Sequence, residues 1–233
     1  MPDLVTADTS ARGNRLRIRR KKWARPELDV CPFFEKEPEQ RIGKWAECFS
    51  KKQPFYLELG CGKGTFAAEL GVREPNVNIL ALDIKSDMLG TARRNIVAKY
   101  EENGREADNV MLTAYNVEHL EKILSKEDEV QRIYINFCNP WPKPKHKKRR
   151  LTYPNKLAKY SELLPQGGEI RFKTDDLPLF EESLEYFAQS GYDIVYETRD
   201  LHNSDVKDNI LTEHEIMFSE QGIKINFLIA VKK

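Results

Sequence analysis

The chain has 233 residues, 40% of them hydrophobic, enough to bury a sizeable core and better suited to one large domain than to two. It holds no apolar run of the roughly eighteen residues that a membrane helix needs, and no export signal precedes the fold, so a soluble cytoplasmic protein without a membrane partner is expected. Cys31, Cys48, Cys61 and Cys138 form no CxxC pair and have no His at ligand spacing, which suggests neither a metal nor a disulfide framework. The net charge of +1 argues by itself against a polyanion partner, but its distribution reverses that. Eight cations and no acid lie between Arg12 and Arg25. Lys143, Lys145, Lys147, Lys148, Arg149 and Arg150, with His146 among them, form a second run. These two runs hold 14 of the 38 Lys and Arg, which leaves 24 against 37 acids, or −13, for the rest of the chain. Positive potential concentrated in this way is what recognition of a phosphate backbone requires.

Residues 1–22 are polar or basic with little to bury, so they read as a mobile basic arm, and residues 23–233 as a single domain with Trp23 as its first anchor. Ile42, Trp45, Ala46 and Phe49 fall at helical spacing behind Pro38 and predict a helix over 39–49. Strands and helices then alternate. Strands are predicted at 55–59, 76–83, 110–113, 132–137, 169–174, 192–198 and 223–231, and helices at 65–71, 87–100, 119–124, 155–164, 180–187 and 212–219. Alternation at this pitch means βαβ units: an α/β fold with a largely parallel sheet and helices on both faces. Ligands of such sheets bind beyond the carboxyl ends of the strands. Glu58, Asp83, Asn116, Asn139 and Asp175 stand at or just after five successive predicted strand ends and can converge on one crevice.

Gly60, Gly62 and Gly64 give the turn after the first of these strands the pattern GxGxG, preceded two residues back by Glu58. The dinucleotide fingerprint is GxGxxG, and a carboxylate facing a pyrophosphate would be unfavourable. Glu58 suits a ligand with an ammonium or sulfonium group. Asp83, about twenty residues on, is placed to accept from ribose hydroxyls, and Asn116 to read an adenine edge. After the fourth strand, Pro140, Pro142 and Pro144 cannot continue a ladder or start a helix, so the chain leaves the sheet stiffly with Lys143 and the basic run behind it.

Together these features resemble the class I S-adenosylmethionine-dependent methyltransferases. NF-x-NPWPK-x-x-H-x-KRRLT over 136–152, Phe172-Lys173-Thr174-Asp175, and Thr212-Glu213-His214-Glu215 narrow the resemblance to the bacterial-type tRNA (guanine-N7)-methyltransferases, over most of the chain. The resemblance implies a seven-stranded Rossmann-like sheet with an antiparallel final strand, S-adenosylmethionine as cofactor, and a guanosine in the variable loop of tRNA as substrate. It also implies no obligate protein subunit, so that a monomer or homodimer is expected. It places Glu58, Asp83, Asn116 and Asn139 at the cofactor, Lys143, Asp175 and residues 212–215 at the substrate, and residues 145–150 on the RNA. The family more often has Asp at positions 116 and 139. Guanine N7 carries a lone pair and no hydrogen, so no general base is needed. Asn139 is expected to position the reacting groups, with Asp175 or Glu215 accepting from guanine N1 and N2. Thr212 and Glu215 also fit a capping box, T-x-x-E, and both readings stand. His146, His202 and His214 suit a polar surface better than proton transfer. A methyltransferase for another RNA or a small molecule, a tRNA-binding protein whose catalysis has lapsed, and a nicotinamide dehydrogenase are the alternatives.

Overall fold

The computed structural model describes residues 21–233, so of the arm predicted over 1–22 only Lys21 and Lys22 are described, and residues 1–20, with Arg12, Arg15, Arg17, Arg19 and Arg20, lie outside the described residues. Five strands run parallel: β2 (Phe55–Leu59), β3 (Asn78–Asp83), β4 (Val110–Ala114), β5 (Val130–Asn136) and β6 (Glu169–Thr174). β8 (Asn226–Lys232) is antiparallel to both β6 and β7 (Tyr192–Thr198). A two-residue strand, β1 (Phe34–Glu35), pairs in parallel with β4. The sheet therefore has eight strands in the order β1-β4-β3-β2-β5-β6-β8-β7, one more than the seven expected. Two residues carry no hydrophobic alternation, which is why β1 leaves no trace in the sequence.

Every residue of β2 is buried, as both faces of a central parallel strand must be, whereas β7 alternates buried or half-buried with exposed positions as befits an edge. The connecting helices are α1 (Ala24–Asp29), α2 (Thr65–Arg73), α3 (Ser86–Glu102), α4 (Pro154–Leu163), α5 (Leu177–Gln189) and α6 (Glu213–Glu220). Five of them form two packed groups, α1 to α3 and α4 with α5. From β2 the chain winds outward through β3 and β4, then returns to β5 on the other side of β2. That reversal opens a crevice at the carboxyl ends of β2 and β5.

The predicted helix over 39–49 is instead two 3-10 turns, Pro38–Arg41 and Trp45–Cys48. The left-handed Gly43 (φ 71°) separates them, and the carboxylate of Asp128 accepts from the N–H of Gly43 at 3.0 Å and of Trp45 at 3.1 Å. The apolar spacing arises because Trp45 is fully buried, with Nε1 donating to the carbonyl of Ile123 at 2.7 Å.

Helix α1 seats on α3 at Gly90, where an added Cβ would lie 2.4 Å from the Cβ and 2.8 Å from the Cα of Ala24. The Trp23 ring, next to this contact, carries the Arg94 guanidinium 3.5 Å from its centroid. Replacing Gly90 with Ala should therefore cost about 1–3 kcal/mol by overpacking, measurable as a lower urea midpoint with unchanged slope. An unchanged midpoint would mean that α1 shifts freely on α3.

Candidate active site

Because β4, β3, β2, β5 and β6 are neighbours in that order, the five polar residues predicted at strand ends stand side by side along one edge. The glycine turn after β2 is built from left-handed residues, Gly60 (φ 79°), Gly62 (φ 54°) and Gly64 (φ 70°), a conformation that side chains with a Cβ rarely adopt. The N–H groups of Gly60 and Cys61 both donate to the Leu82 carbonyl at 2.9 Å, tying the turn to the end of β3. Asp83 completes that tie: one carboxylate oxygen accepts from Gly62 N–H at 3.1 Å and the other from Lys85 N–H at 2.9 Å. Asn116 caps the 3-10 turn Val117–Lys122 by accepting from Glu118 N–H at 3.0 Å, which leaves its amide nitrogen without a partner among the described residues. Cys61 and Cys138 flank the crevice as free thiols, and burial pushes both well above their ordinary range, so neither is poised as a nucleophile.

Glu58 is 2% exposed, on a strand buried on both faces. Its Oε1 is 3.5 Å from the amide of Asn136, and its Oε2 is buried with no hydrogen-bond partner. Desolvation raises its pKa to about 8 against the weaker opposing pull of Asn136 and Lys173, with Asp83 adding to the rise. Lys173 on β6 is the nearest buried cation, but its three N–H bonds are spent elsewhere. They go to Asn209 Oδ1 at 3.0 Å, the Ile210 carbonyl at 2.8 Å and Glu215 Oε2 at 2.8 Å. Glu215 is fully buried, and its other oxygen meets Asn209 Nδ2 at 2.5 Å and His202 Nε2 at 2.8 Å. Burial, the largest influence on Glu215, pushes its pKa up, yet Lys173 and the Asn209 and His202 bonds together hold it below the ordinary carboxylate range.

The backbone leaves β5 under strain on both sides of Asn139. Phe137 (φ 51°) and Trp141 (φ 43°) are left-handed, at a cost of about 1–3 kcal/mol each. Phe137 is held by its N–H bond to the Lys173 carbonyl at 2.9 Å and by stacking on His214, centroids 5.9 Å apart. Trp141 is held by its N–H, which donates to Asn139 Oδ1 at 3.1 Å, and by its ring, which packs on His146 and under the Arg149 guanidinium at 5.1 Å. Residues 143–150 then divide. Lys143, Lys145, Lys148 and Arg149 are exposed and meet no carboxylate among the described residues. Lys147 pairs with Glu182 at 2.6 Å. Arg150, expected on the RNA, is instead 2% exposed, with Nε on the Pro140 carbonyl at 2.8 Å and Nη1 on Glu182 at 2.9 Å.

Residues 212–215 lie across the crevice mouth. Thr212 caps α6, its hydroxyl accepting from Glu215 N–H at 3.1 Å, but the Glu215 side chain turns inward, so only half of the expected capping box forms. Glu213 pairs at 2.5 Å with Lys63 of the glycine turn, and the exposed His214 sits on Phe137. Asp175, half-buried, has its pKa raised by burial and by Asp176 and lowered by His214. Local sequence pattern assigns no role to Lys173, Asn209, Glu182 or Lys63. A lysine inside an apolar strand was the one available signal, since lysine is almost never fully buried unpaired.

Two measurements check these assignments. Lys173→Met should destabilise the protein by about 3–5 kcal/mol in urea, because it strands a buried carboxylate, and Lys173→Met/Glu215→Leu should recover at least half of that loss. A raised carboxyl pKa stabilises the folded state below its unfolded value near 4.5, and that contribution is lost as pH rises through about 8. Glu58→Gln does not titrate, so its stability relative to the parent should rise between pH 5 and 8, and a flat difference would place the Glu58 carboxyl in water.

The family model Methyltransf_4, described as "Putative methyltransferase", matches residues 52–228. The tRNA (guanine-N(7)-)-methyltransferase of Clostridium beijerinckii is 59% identical over 93% of this chain and 99% of its own length. That of Acetivibrio thermocellus is 49% identical over 94% of this chain and all of its own. Among solved structures, the 16S rRNA methyltransferase KamB superposes with a TM-score of 0.59 at 13% identity, over 82% of this chain and 93% of its own, a likeness of fold. The chain belongs to the tRNA (guanine-N(7)-)-methyltransferase family.

Proposed function

We propose that the chain transfers the methyl group of S-adenosylmethionine to N7 of a guanosine in the variable loop of tRNA, in the cytoplasm and without an obligate protein subunit. The observation that carries the cofactor assignment is the buried, unpartnered Oε2 of Glu58 beside a left-handed glycine turn. A pyrophosphate would bring that carboxyl neither a donor nor a counter-charge, whereas a cationic ligand gives it the partner that Lys173 withholds. Each Asp83 oxygen keeps a lone pair for a ribose hydroxyl while it holds the glycine turn, and the free amide of Asn116 can donate to an adenine ring nitrogen. When bound, S-adenosylmethionine supplies an electrophilic methyl on a sulfonium.

Guanine N7 needs no deprotonation, so the chain's own residues position and discriminate rather than move protons. Asn139 stands at the strained exit of β5, with its carbonyl oxygen fixing the Trp141 turn. We assign it the alignment of the base with the methyl group. Asp175 is the half-buried carboxyl free to accept from guanine N1 and N2, which excludes adenine. Glu215, committed to Lys173, Asn209 and His202, acts as a positioning residue that fixes Thr212, Glu213 and His214 over the crevice. Lys143, Lys145, Lys148 and Arg149, with His146 beside them, present the phosphate-binding surface, while Lys147 and Arg150 brace the loop from beneath through Glu182.

Incubation of bulk tRNA with methyl-labelled S-adenosylmethionine, followed by nucleoside analysis, should yield N7-methylguanosine. Label confined to another atom, or tRNA bound with no label, would sink the proposal. In the same assay Asn139→Ala should lower kcat by roughly tenfold or more through lost alignment. Asn139→Asp accepts the same Trp141 bond and adds charge toward the purine as it becomes cationic, so it should match or exceed the parent. Turnover of the Ala variant equal to the parent would make Asn139 a bystander.

A further inference from the structure

A second strongly basic surface lies on the opposite side of the glycine turn from the 143–149 loop. Lys21, Lys22, Arg25 and Lys85 line a groove of about 710 Å³ together with Pro26, Ile84, Ser86 and Asp87. Its floor is where β3 passes into α3, two strand positions from β5 across β2, or roughly 10 Å. Lys85 sits close enough to draw down the Asp83 carboxyl, although burial outweighs it there, so the groove adjoins the candidate cofactor crevice directly.

The cations of this groove are not balanced by neighbouring acids. Glu27, the acid on α1 nearest to Arg25 in sequence, is taken by Arg93 and Arg94 of α3. The carboxylate of Asp87 accepts from the backbone N–H of Lys21 at 2.9 Å. Among the described residues no carboxylate comes within ion-pair distance of Lys21, Lys22, Arg25 or Lys85. Lys63, Lys99, Lys159, Arg171 and Arg199, by contrast, are all paired with acids. The groove is also held in shape beforehand. The ammonium of Lys21 is bonded to the Thr91 hydroxyl, Trp23 is clamped by Arg94, and Ala24 is seated against Gly90. Four cations against one carboxylate on a fixed frame is the electrostatics of a phosphate-backbone contact.

We infer that this groove is a second contact for the tRNA backbone, so that the RNA is gripped on both sides of the reacting base, by the 143–149 loop at β5 and by Lys22, Arg25 and Lys85 at β3. This rests on the proposed tRNA substrate. A single patch would leave the nucleotide free to pivot about its phosphates. Two patches flanking the crevice fix the angle at which the base enters.

The test is tRNA binding to the full chain, measured by fluorescence anisotropy over a series of salt concentrations, with cofactor affinity measured in parallel by calorimetry. Lys22→Ala/Arg25→Ala should weaken tRNA binding about tenfold or more near 0.1 M salt. It should reduce the slope of log K against log salt by about 1.5–2, the loss of two phosphate contacts. Cofactor Kd should stay within twofold. Lys85→Glu should weaken tRNA binding further, and Lys85→Arg should restore it, both at native thermal midpoints. An unchanged salt slope in the double variant overturns the inference, as does a cofactor Kd that weakens in step with tRNA binding, which would give the groove to the cofactor. Because binding is read without turnover, a parent that binds tRNA but makes no N7-methylguanosine refutes the proposed reaction and leaves this outcome separately readable.

Discussion

The site depends on how one buried ammonium is shared. Lys173 has three N–H bonds to give, and all three go to the segment that precedes and opens α6, to Asn209, the Ile210 carbonyl and Glu215. That choice has two consequences. It fastens α6 to the end of β6, which puts residues 212–214 over the crevice. It also leaves Glu58, the second buried carboxyl within the field of Lys173, without a hydrogen bond from any cation. A carboxyl so placed is neutral near pH 7 until a positive ligand arrives, and its burial, costly to the free protein, becomes an attraction once a cation is bound. With the proposed cofactor, architecture and ligand affinity are therefore set by the same side chain.

The exit of β5 works on a different principle. Left-handed Phe137 and Trp141 are unfavourable by themselves and persist because each is held by a backbone hydrogen bond and by its ring. The two strained residues bracket Asn139, whose direction is thereby fixed by the backbone rather than by its own packing. The basic loop that follows is split along the same line. Arg150 and Lys147 are drawn inward to Glu182, and this bracing keeps Lys143, Lys145, Lys148 and Arg149 at the surface. A run of like charges that reads as one feature is thus two layers with different tasks.

Much of this was legible in the chain. Alternating strands and helices placed Glu58, Asp83, Asn116, Asn139 and Asp175 at successive strand ends, and the sheet order makes those ends adjacent. The GxGxG pattern marked a turn, and its three glycines are left-handed. What could not be read were pairings set by tertiary structure. Glu182 lies 32 residues from Arg150, and Glu215 lies 42 from Lys173. Nothing local distinguishes a cation aimed at solvent from one aimed at a buried acid. The T-x-x-E pattern was ambiguous for a related reason: Thr212 obeys the local rule of a cap, while Glu215 follows the stronger pull of a buried lysine. The helix expected over 39–49 from apolar spacing gives way at Gly43, whose left-handed backbone and bond to Asp128 end the turn.

The chemistry explains why such an arrangement suffices. A nucleophile with a ready lone pair asks only for approach along the right line and for surroundings that tolerate growing positive charge. No side chain must cycle a proton, so the carboxyl groups are free for other work. Glu215 is buried and holds a helix, Glu58 is buried with one oxygen unpartnered, Asp83 clamps the glycine turn, and Asp175 is half-buried and, in the proposed reaction, free for the base. An enzyme that needed a general base here would have to keep one of these carboxyls both solvated and unpaired. On the proposed reaction none is needed, so most of these acids can be committed to structure, with Asp175 left to discriminate the base and the basic surfaces to orient it.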